Sequence, residues 1–173
     1  MTVDTADGLA SLRPTDPEGA TARYVFRVEI RLEPDADGLW TDPDRFETTL
    51  YRAADTPGTG GWLFFRDTLW RGELADEPHF RRLVEDELGC PVVSASFREL
   101  RTEEAYLDAL QAEIADDLAL FNADSVSEVL NKYLAVRSVW REKKRRCVVS
   151  VYSGVIRIKT GSRARKTLLE NPQ

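Results

Sequence analysis

The sequence predicts an α+β domain in which helices pack on one face of a mainly antiparallel four-stranded sheet. Two observations lead to this fold class. Four stretches have the alternating or continuously apolar character of strands, and three have the periodic apolar positions of helices. These stretches follow one another in the order β-β-β-α-β-α-α, without the regular alternation of strand and helix that builds a parallel sheet.

The first two predicted strands come early in the chain. Residues 24–32 alternate cleanly, because every even-numbered residue is apolar or aromatic and most odd-numbered residues are charged. This alternation predicts a half-buried strand. Residues 46–53 contain β-branched and aromatic side chains that can alternate as a strand, although Asp42-Pro43 could also start a helix here. We interpret residues 46–53 as the second strand.

The third and fourth predicted strands lie further along the chain. Residues 62–65 are apolar on both faces, as in a central strand, and they follow a glycine-rich segment that we interpret as a loop. The fourth strand follows Pro91, and its core face carries Val93, Ala95 and Phe97.

Three helices are predicted from apolar stripes that follow capping residues. The first is capped by Asp76, runs to Leu88 and ends at Gly89. Thr102 caps a second, longer helix, and Ser125 opens the third with a capping box. The three stripes consist of Phe80, Leu83, Val84 and Leu88, of Leu107, Leu110, Ile114, Leu118 and Phe121, and of Val126, Val129, Leu130, Tyr133 and Leu134.

The two ends of the chain differ from this domain, which we place at residues 23–136. Residues 1–22 are rich in Asp, Thr, Pro and Gly without an apolar period, which predicts a disordered acidic arm. Residues 137–173 form a basic tail, in which residues 149–158 have the pattern of a hairpin with Ser-Gly at its turn. The tail is either a functional arm or an adventitious extension of a shorter gene, and its abrupt change of composition favours the extension.

Charge is divided unevenly along the chain. Residues 1–136 contain 28 acidic and 13 basic residues, a net charge of −15, whereas residues 137–173 contain 2 acidic and 11 basic residues, a net charge of +9. In the first segment 12 of the 13 bases are arginine, and the exception is Lys132. At about 1 M salt the Debye length falls to about 3 Å, which screens the repulsion within so acidic a body. The pattern favours a protein of a salt-filled cytosol over an ordinary acidic protein from a GC-rich genome.

Composition excludes several classes of function. The apolar stretches are too short for a transmembrane helix and the N-terminus lacks the pattern of a secretory signal, so we expect a cytoplasmic protein without membrane association. One histidine, His79, and two cysteines, Cys90 and Cys147, are too few for a Cys/His zinc site. The glycines of residues 58–61 precede a predicted strand and lack the lysine of a phosphate-binding loop. We therefore expect no metal and no cofactor.

Residues 61–73, with the sequence GWLFFRDTLWRGE, resemble the signature of the LWR-salt proteins, a small family of halophilic archaea. The family is named after the tripeptide Leu-Trp-Arg, here residues 69–71. Residues 46–52, 97–102 and 116–124 also resemble it, and the likeness covers about residues 24–134. The resemblance implies a halophilic archaeon and brings no known activity, cofactor or partner. It also implies that family members end soon after the third helix, so that the tail departs from the family.

The candidate binding residues lie in and beside this signature. Arg66, Trp70, Arg71 and Glu73 could form a recognition edge, because Trp and Arg are favoured at interface hot spots. A protein is the partner that we expect at this edge. The alternative is structural: Trp70 closes one end of the core and Arg71 pairs with a carboxylate, since aromatic side chains mostly pack.

The sequence predicts no catalytic site. His79 and Cys90 are the one conceivable pair of base and nucleophile, but no cysteine motif surrounds Cys90. Lys and Arg clustered in the tail, together with Arg27 and Arg31 on the first strand, could instead bind nucleic acid. The leading hypothesis is a non-catalytic binding or interaction module, and the alternative is a nucleic-acid-associated protein.

Overall fold

The computed structural model describes residues 12–34, 38–135, 139–141 and 158–160. Its elements in chain order are β1 (Ala22–Arg31), β2 (Leu39–Thr41), β3 (Arg45–Ala53), α1 (Phe64–Thr68), β4 (Leu69–Trp70), β5 (Glu73–Leu74), α2 (Glu77–Leu88), β6 (Val92–Thr102), α3 (Glu104–Asp116), α4 (Val126–Leu134), β7 (Val139–Arg141) and β8 (Ile158–Thr160). A short 3-10 helix, Leu118–Phe121, lies between α3 and α4. The architecture is α+β, as the sequence predicts.

The main sheet has three long antiparallel strands in the order β3-β1-β6. The prediction of four such strands was wrong, because the predicted strand at residues 62–65 is absent from the sheet. The three-residue β7 pairs in parallel with the outer side of β6. Two smaller pairs, β4 with β5 and β2 with β8, are antiparallel.

Residues 62–65 form a turn and the start of α1. The first two residues of this helix, Phe64 and Phe65, are buried in the core, whereas Asp67 on the same helix is exposed. The ring of Phe64 lies 4.9 Å from that of Tyr24 on the sheet, and the ring of Phe65 lies 5.9 Å from that of Tyr133 on α4. A short apolar run is typical of a buried strand and of a buried helix alike, so periodicity could not distinguish the two.

The core lies on the side of the sheet that the helices cover. Tyr24, Phe26 and Val28 of β1 point to this side and are at most 1% exposed. The ring of Phe26 lies 4.8 Å from that of Phe80 on α2 and 5.8 Å from that of Phe97 on β6. The alternation predicted for β1 is therefore confirmed.

A bulge changes the predicted core face of β6. Opposite Ile30 the register shifts by one residue, so that Val92 and not Val93 is its partner. Val92 is buried in consequence, while Val93 is only partly buried. Ala95 and Phe97 face the core as predicted. A bulge inserts one residue into one strand and interrupts the alternation on which the prediction depended.

The helix ends are as predicted for α2 and α4 but not for α3. Asp76 caps α2 by accepting a hydrogen bond of 2.9 Å from a backbone N–H of the first turn, and Gly89 ends it with a φ of 66°. At α4 the Ser125 hydroxyl accepts a hydrogen bond of 3.2 Å from the backbone N–H of Glu128. Thr102, by contrast, is the last residue of β6 and not a helix cap. The helix that follows is also shorter than predicted, because the chain tightens into the 3-10 helix.

Parts of both chain ends contact the domain. Leu12 is only 2% exposed, and Arg13 exchanges two backbone hydrogen bonds of 2.9 and 2.8 Å with Tyr51 of β3. The arm predicted at residues 1–22 therefore packs on the domain from Leu12 onward. Residues 1–11 and most of the hairpin predicted in the tail lie outside the described residues. The domain boundaries stay a prediction.

Candidate functional site

The Leu-Trp-Arg tripeptide lies in a tight hairpin, residues 69–74, which we call the LWR hairpin. Its strands are β4 and β5, and its two-residue turn consists of Arg71 and Gly72. Both turn residues have positive φ angles, 52° and 77°, as type I′ turns require. Glycine adopts this conformation without steric cost, whereas arginine does not, so the surroundings must stabilise the turn.

The turn docks on the C-terminal end of α4. The backbone N–H of Arg71 donates to the carbonyl of Lys132 (2.8 Å), and that of Gly72 donates to the carbonyl of Tyr133 (2.9 Å). The last carbonyls of a helix have no partner within the helix, so the turn satisfies two of them. Leu69, which is 1% exposed, anchors the hairpin in the core. The backbone beneath Trp70 is therefore held on both sides.

Trp70 is exposed and does not close the core, so the structural interpretation of this residue was wrong. Its exposed fraction is 46%, compared with 1% for Leu69 before it. The indole packs edge-on against Tyr133, with 5.8 Å between ring centroids. The Lys132 ammonium lies 5.8 Å from the indole centroid and donates to two carbonyls of the preceding segment. Nearly half of the Trp70 surface thus remains accessible to a partner.

A shallow cleft of about 360 Å³ adjoins the indole. We call it the Trp70 cleft, and its lining consists of Trp70, Arg71, Glu128, Asn131 and Lys132. Among the residues that the structure describes, no carboxylate forms an ion pair with the Arg71 guanidinium. The cleft therefore combines an exposed aromatic ring with two cations and one carboxylate.

The other two predicted binding residues lie outside the Trp70 cleft. Glu73 lines a different depression, of about 340 Å³, between the LWR hairpin, the start of α2 and residues 95–98 of β6. Arg66 lies on α1, and its Nε is 2.8 Å from Oδ1 of Asp67. The structure thus brings together Trp70 and Arg71 but not all four residues. Lys132 and Asn131 are additions that the sequence could not indicate, because α4 reaches the hairpin only through the tertiary fold.

The candidate catalytic pair is separated by the length of α2. His79 lies in the first turn of this helix and Cys90 lies two residues beyond its last residue, Leu88, which places their Cα atoms roughly 16 Å apart. Burial and the nearby carboxylate of Glu85 also raise the pKa of the Cys90 thiol. The two side chains therefore cannot act on one another as base and nucleophile. Within the described ranges no group of three His, Cys, Asp or Glu side chains is placed to hold a metal ion.

The arginines on the outer face of the sheet are paired with carboxylates. Nε of Arg27 lies 3.2 Å from Oε1 of Glu47, and Nη1 of Arg45 lies 3.9 Å from Oε1 of Glu29. Arg31 is likewise 3.8 Å from a carboxylate oxygen. Phosphates would have to compete with these carboxylates for the same guanidinium groups.

The sequence did not indicate the ion pair of the buried Arg52 with Asp55, which lies beneath the glycine-rich loop. Arg52 is 4% exposed, its Nη2 lies 2.9 Å from Oδ2 of Asp55, and its guanidinium lies 4.1 Å from the ring centroid of Phe64. The Tyr106 hydroxyl donates to the backbone carbonyl of Asp55 (2.8 Å). The loop is thereby attached to β3 and α3. The sequence feature that could have indicated this ion pair is Arg52, a charged residue at an inward-facing position in the alternation of β3.

Together these features define a small α+β domain that presents an exposed tryptophan on a docked hairpin. The chain belongs to the LWR-salt protein family, which matches residues 20–142. The match continues through β7, further than the resemblance in the sequence implied. No curated protein and no solved structure matches the chain significantly. Helices in the described part of the chain are all too short or too polar to cross a membrane.

Proposed function

We propose that this protein is a non-catalytic binding module and that the Trp70 cleft is its binding surface. The observation that carries the proposal is the 46% exposure of Trp70 next to a turn that two hydrogen bonds fix to α4. An aromatic anchor whose backbone is already fixed loses little conformational freedom when it docks. Tryptophan and arginine are also the residues most enriched at the energetic centres of protein interfaces.

The charge of the cleft favours an acidic protein as partner. Arg71 and Lys132 supply two cations against the one carboxylate of Glu128, in a segment whose overall net charge is −15. A carboxylate of the partner would pair with the Arg71 guanidinium, and an apolar group beside it would cover the indole. The apolar contact persists in concentrated salt, where long-range attraction is screened.

We further propose that the protein acts in the salt-rich cytosol of a halophilic archaeon, because of the composition of its acidic body. The acidic body has arginine as nearly its only cation, and the ion pairs of its outer face use arginine. Such a surface holds water and stays soluble where salt screens the repulsion between carboxylates.

Site-specific photo-crosslinking tests the binding surface. We would place p-benzoylphenylalanine at position 70 of the full chain, incubate it with lysate at molar KCl, and irradiate. A second variant carries the same group at position 40, where Trp40 is 48% exposed and so closely matched. We expect a defined protein adduct from position 70 that is absent from position 40 and that Arg71→Ala weakens.

Equal adducts from both positions, or an adduct that does not depend on Arg71, would contradict the proposal. Nuclease treatment separates the alternative function, because an adduct removed by nuclease would indicate nucleic acid. With the sheet arginines paired, that alternative depends on the +9 charge of the tail. Circular dichroism of each variant checks that the substitutions leave the fold unchanged.

A further inference from the structure

The outer edge of β3 is unpartnered along its N-terminal half. Tyr51 directs its backbone N–H and carbonyl away from β1 and bonds to Arg13 on that side. Because direction alternates along an antiparallel strand, Arg45, Glu47 and Thr49 also direct their backbone groups outward. Within the part of the chain that the structure describes, no backbone group bonds to these three residues from that side. An exposed row of this kind is a template for another strand.

The charges at this edge are unbalanced within one chain. In the β1–β3 register Glu47 lies directly opposite Glu29, and Arg45 lies directly opposite Arg31. Like charges directly opposite each other destabilise a sheet, and the diagonal ion pairs of Arg27 and Arg45 offset this only in part. Each of the two edge residues therefore gains from an opposite charge on its open side.

We infer that two copies of this chain pair through the N-terminal halves of their β3 strands, antiparallel about a twofold axis at Phe46. In this register Arg45 of one copy faces Glu47 of the other, and the reverse pair forms by symmetry. Both positions direct their backbone groups outward, so the two pairs exchange four backbone hydrogen bonds. The two Phe46 side chains, each half-buried in the single chain, meet across the axis.

Neighbouring registers are less favourable. An axis at Glu47 places two glutamates face to face, and an axis at Arg45 places two arginines face to face. An axis at Thr48 brings Arg45 of the second copy opposite Tyr51, where Arg13 already bonds to the backbone. The charge pattern thus selects the axis at Phe46, while the backbone bonds and the phenylalanine contact hold the dimer. This surface lies at the edge of the sheet opposite to β6, and the inference does not depend on the proposed function.

Disulfide trapping tests the register directly. Residues opposite one another in a non-hydrogen-bonded antiparallel pair have Cα atoms about 4.5 Å apart, within the range that a disulfide spans. We expect Phe46→Cys, in the full chain with Cys90→Ser and Cys147→Ser, to form a disulfide dimer under mild oxidation. The matched control is Thr48→Cys on the same face, because its two copies would lie roughly 13 Å apart, too far for a disulfide. Equal trapping of the two variants would overturn the register.

Sedimentation of the unsubstituted chain and of charge-swapped variants completes the test, at the lowest KCl concentration that maintains the fold. We expect a dimer whose Kd rises about tenfold or more in Arg45→Glu and in Glu47→Arg. The double variant should return to within about threefold of the original Kd. The swap also changes the charges that face Glu29 and Arg31 within the chain, so circular dichroism of each variant checks that the fold is unchanged and that the recovered Kd reports the pairs between copies. A monomeric native chain, or a double variant no better than the single ones, would refute the inference.

Discussion

Replacing Asp55 by asparagine should destabilise the domain more than replacing its partner Arg52 by methionine. The two side chains form an ion pair, but only 5% of the Arg52 side chain is exposed, compared with 38% of the Asp55 side chain. Asp55→Asn removes the negative charge that lies 2.9 Å from the buried guanidinium, and breaking a buried pair in this way costs about 3–5 kcal/mol. Because Asp55 is partly exposed, we expect the lower end, about 3 kcal/mol.

Arg52→Met has the opposite consequence. It removes the buried charge and leaves Asp55, which water can reach and solvate. Methionine also retains contact with the ring of Phe64, which lies 4.1 Å from the guanidinium. Replacing a buried ionic group by an apolar one of similar size is often nearly neutral, so we expect a loss of about 1 kcal/mol.

Urea unfolding of the full chain, followed by circular dichroism, measures both changes. Asp67→Asn is the matched control, because Arg66 and Asp67 form a pair of the same chemistry and nearly the same distance, 2.8 Å, on the surface. We expect a loss below about 0.5 kcal/mol there. The difference between Asp55→Asn and Asp67→Asn should persist in molar KCl, since salt screens buried pairs much less. If Arg52→Met costs as much as Asp55→Asn, the argument from unequal burial is wrong.

Further predictions concern the tail, the salt requirement, the tryptophan and alkaline pH. A chain ending at Ala135 should be less stable than one ending at Glu142 by more than about 1 kcal/mol in thermal denaturation, because it lacks the backbone hydrogen bonds of β7 to β6. Equal stability of the two chains would favour the hypothesis that the tail is an adventitious extension. The full chain should lose its cooperative fold as KCl falls to about 0.1 M, where the Debye length is about 10 Å, and a fold unchanged at that concentration would exclude the salt-adapted proposal. Trp70→Ala should cost about 1–2 kcal/mol, below the 3–5 kcal/mol of a core aromatic, and a larger loss in urea unfolding would show that the indole packs more than its exposure indicates. Burial and the carboxylate of Asp55 raise the pKa of Tyr106 in the folded protein. The contribution of its neutral hydroxyl to stability is therefore complete below the unfolded pKa of about 10 and is lost as the pH rises above that value. Tyr106→Phe should make the free energy of unfolding fall less steeply with rising pH, and an unchanged slope would argue against this residue.

Local patterns predicted the elements whose signals are contained in a few neighbouring residues. The alternation of β1 and the caps of α2 and α4 at Asp76 and Ser125 required no knowledge of distant contacts. The strand at residues 46–53 was also predicted, although a helix start was equally open at Asp42-Pro43. Of the binding site, the sequence indicated Trp70 and Arg71 through the family signature.

The predictions that were wrong concern elements whose structure depends on contacts with distant parts of the chain. Residues 62–65 are apolar on both faces because they enter a core formed by the sheet and α4. The same apolar run is also typical of a central strand. The core face of β6 shifted through a bulge that only the register against Ile30 reveals. The cap of α3 was misplaced because pairing with β1 continues β6 through Thr102.

The sequence by itself determined the α+β class, the family, the separation of charge and the presence of the Leu-Trp-Arg tripeptide. These properties are sums or short-range patterns, and they do not depend on how the elements meet. Only the tertiary structure decided that Trp70 is exposed and that Arg71 has Lys132 beside it. The reason is that the carbonyls at the end of α4 need donors, and the turn supplies them from about 60 residues earlier in the chain.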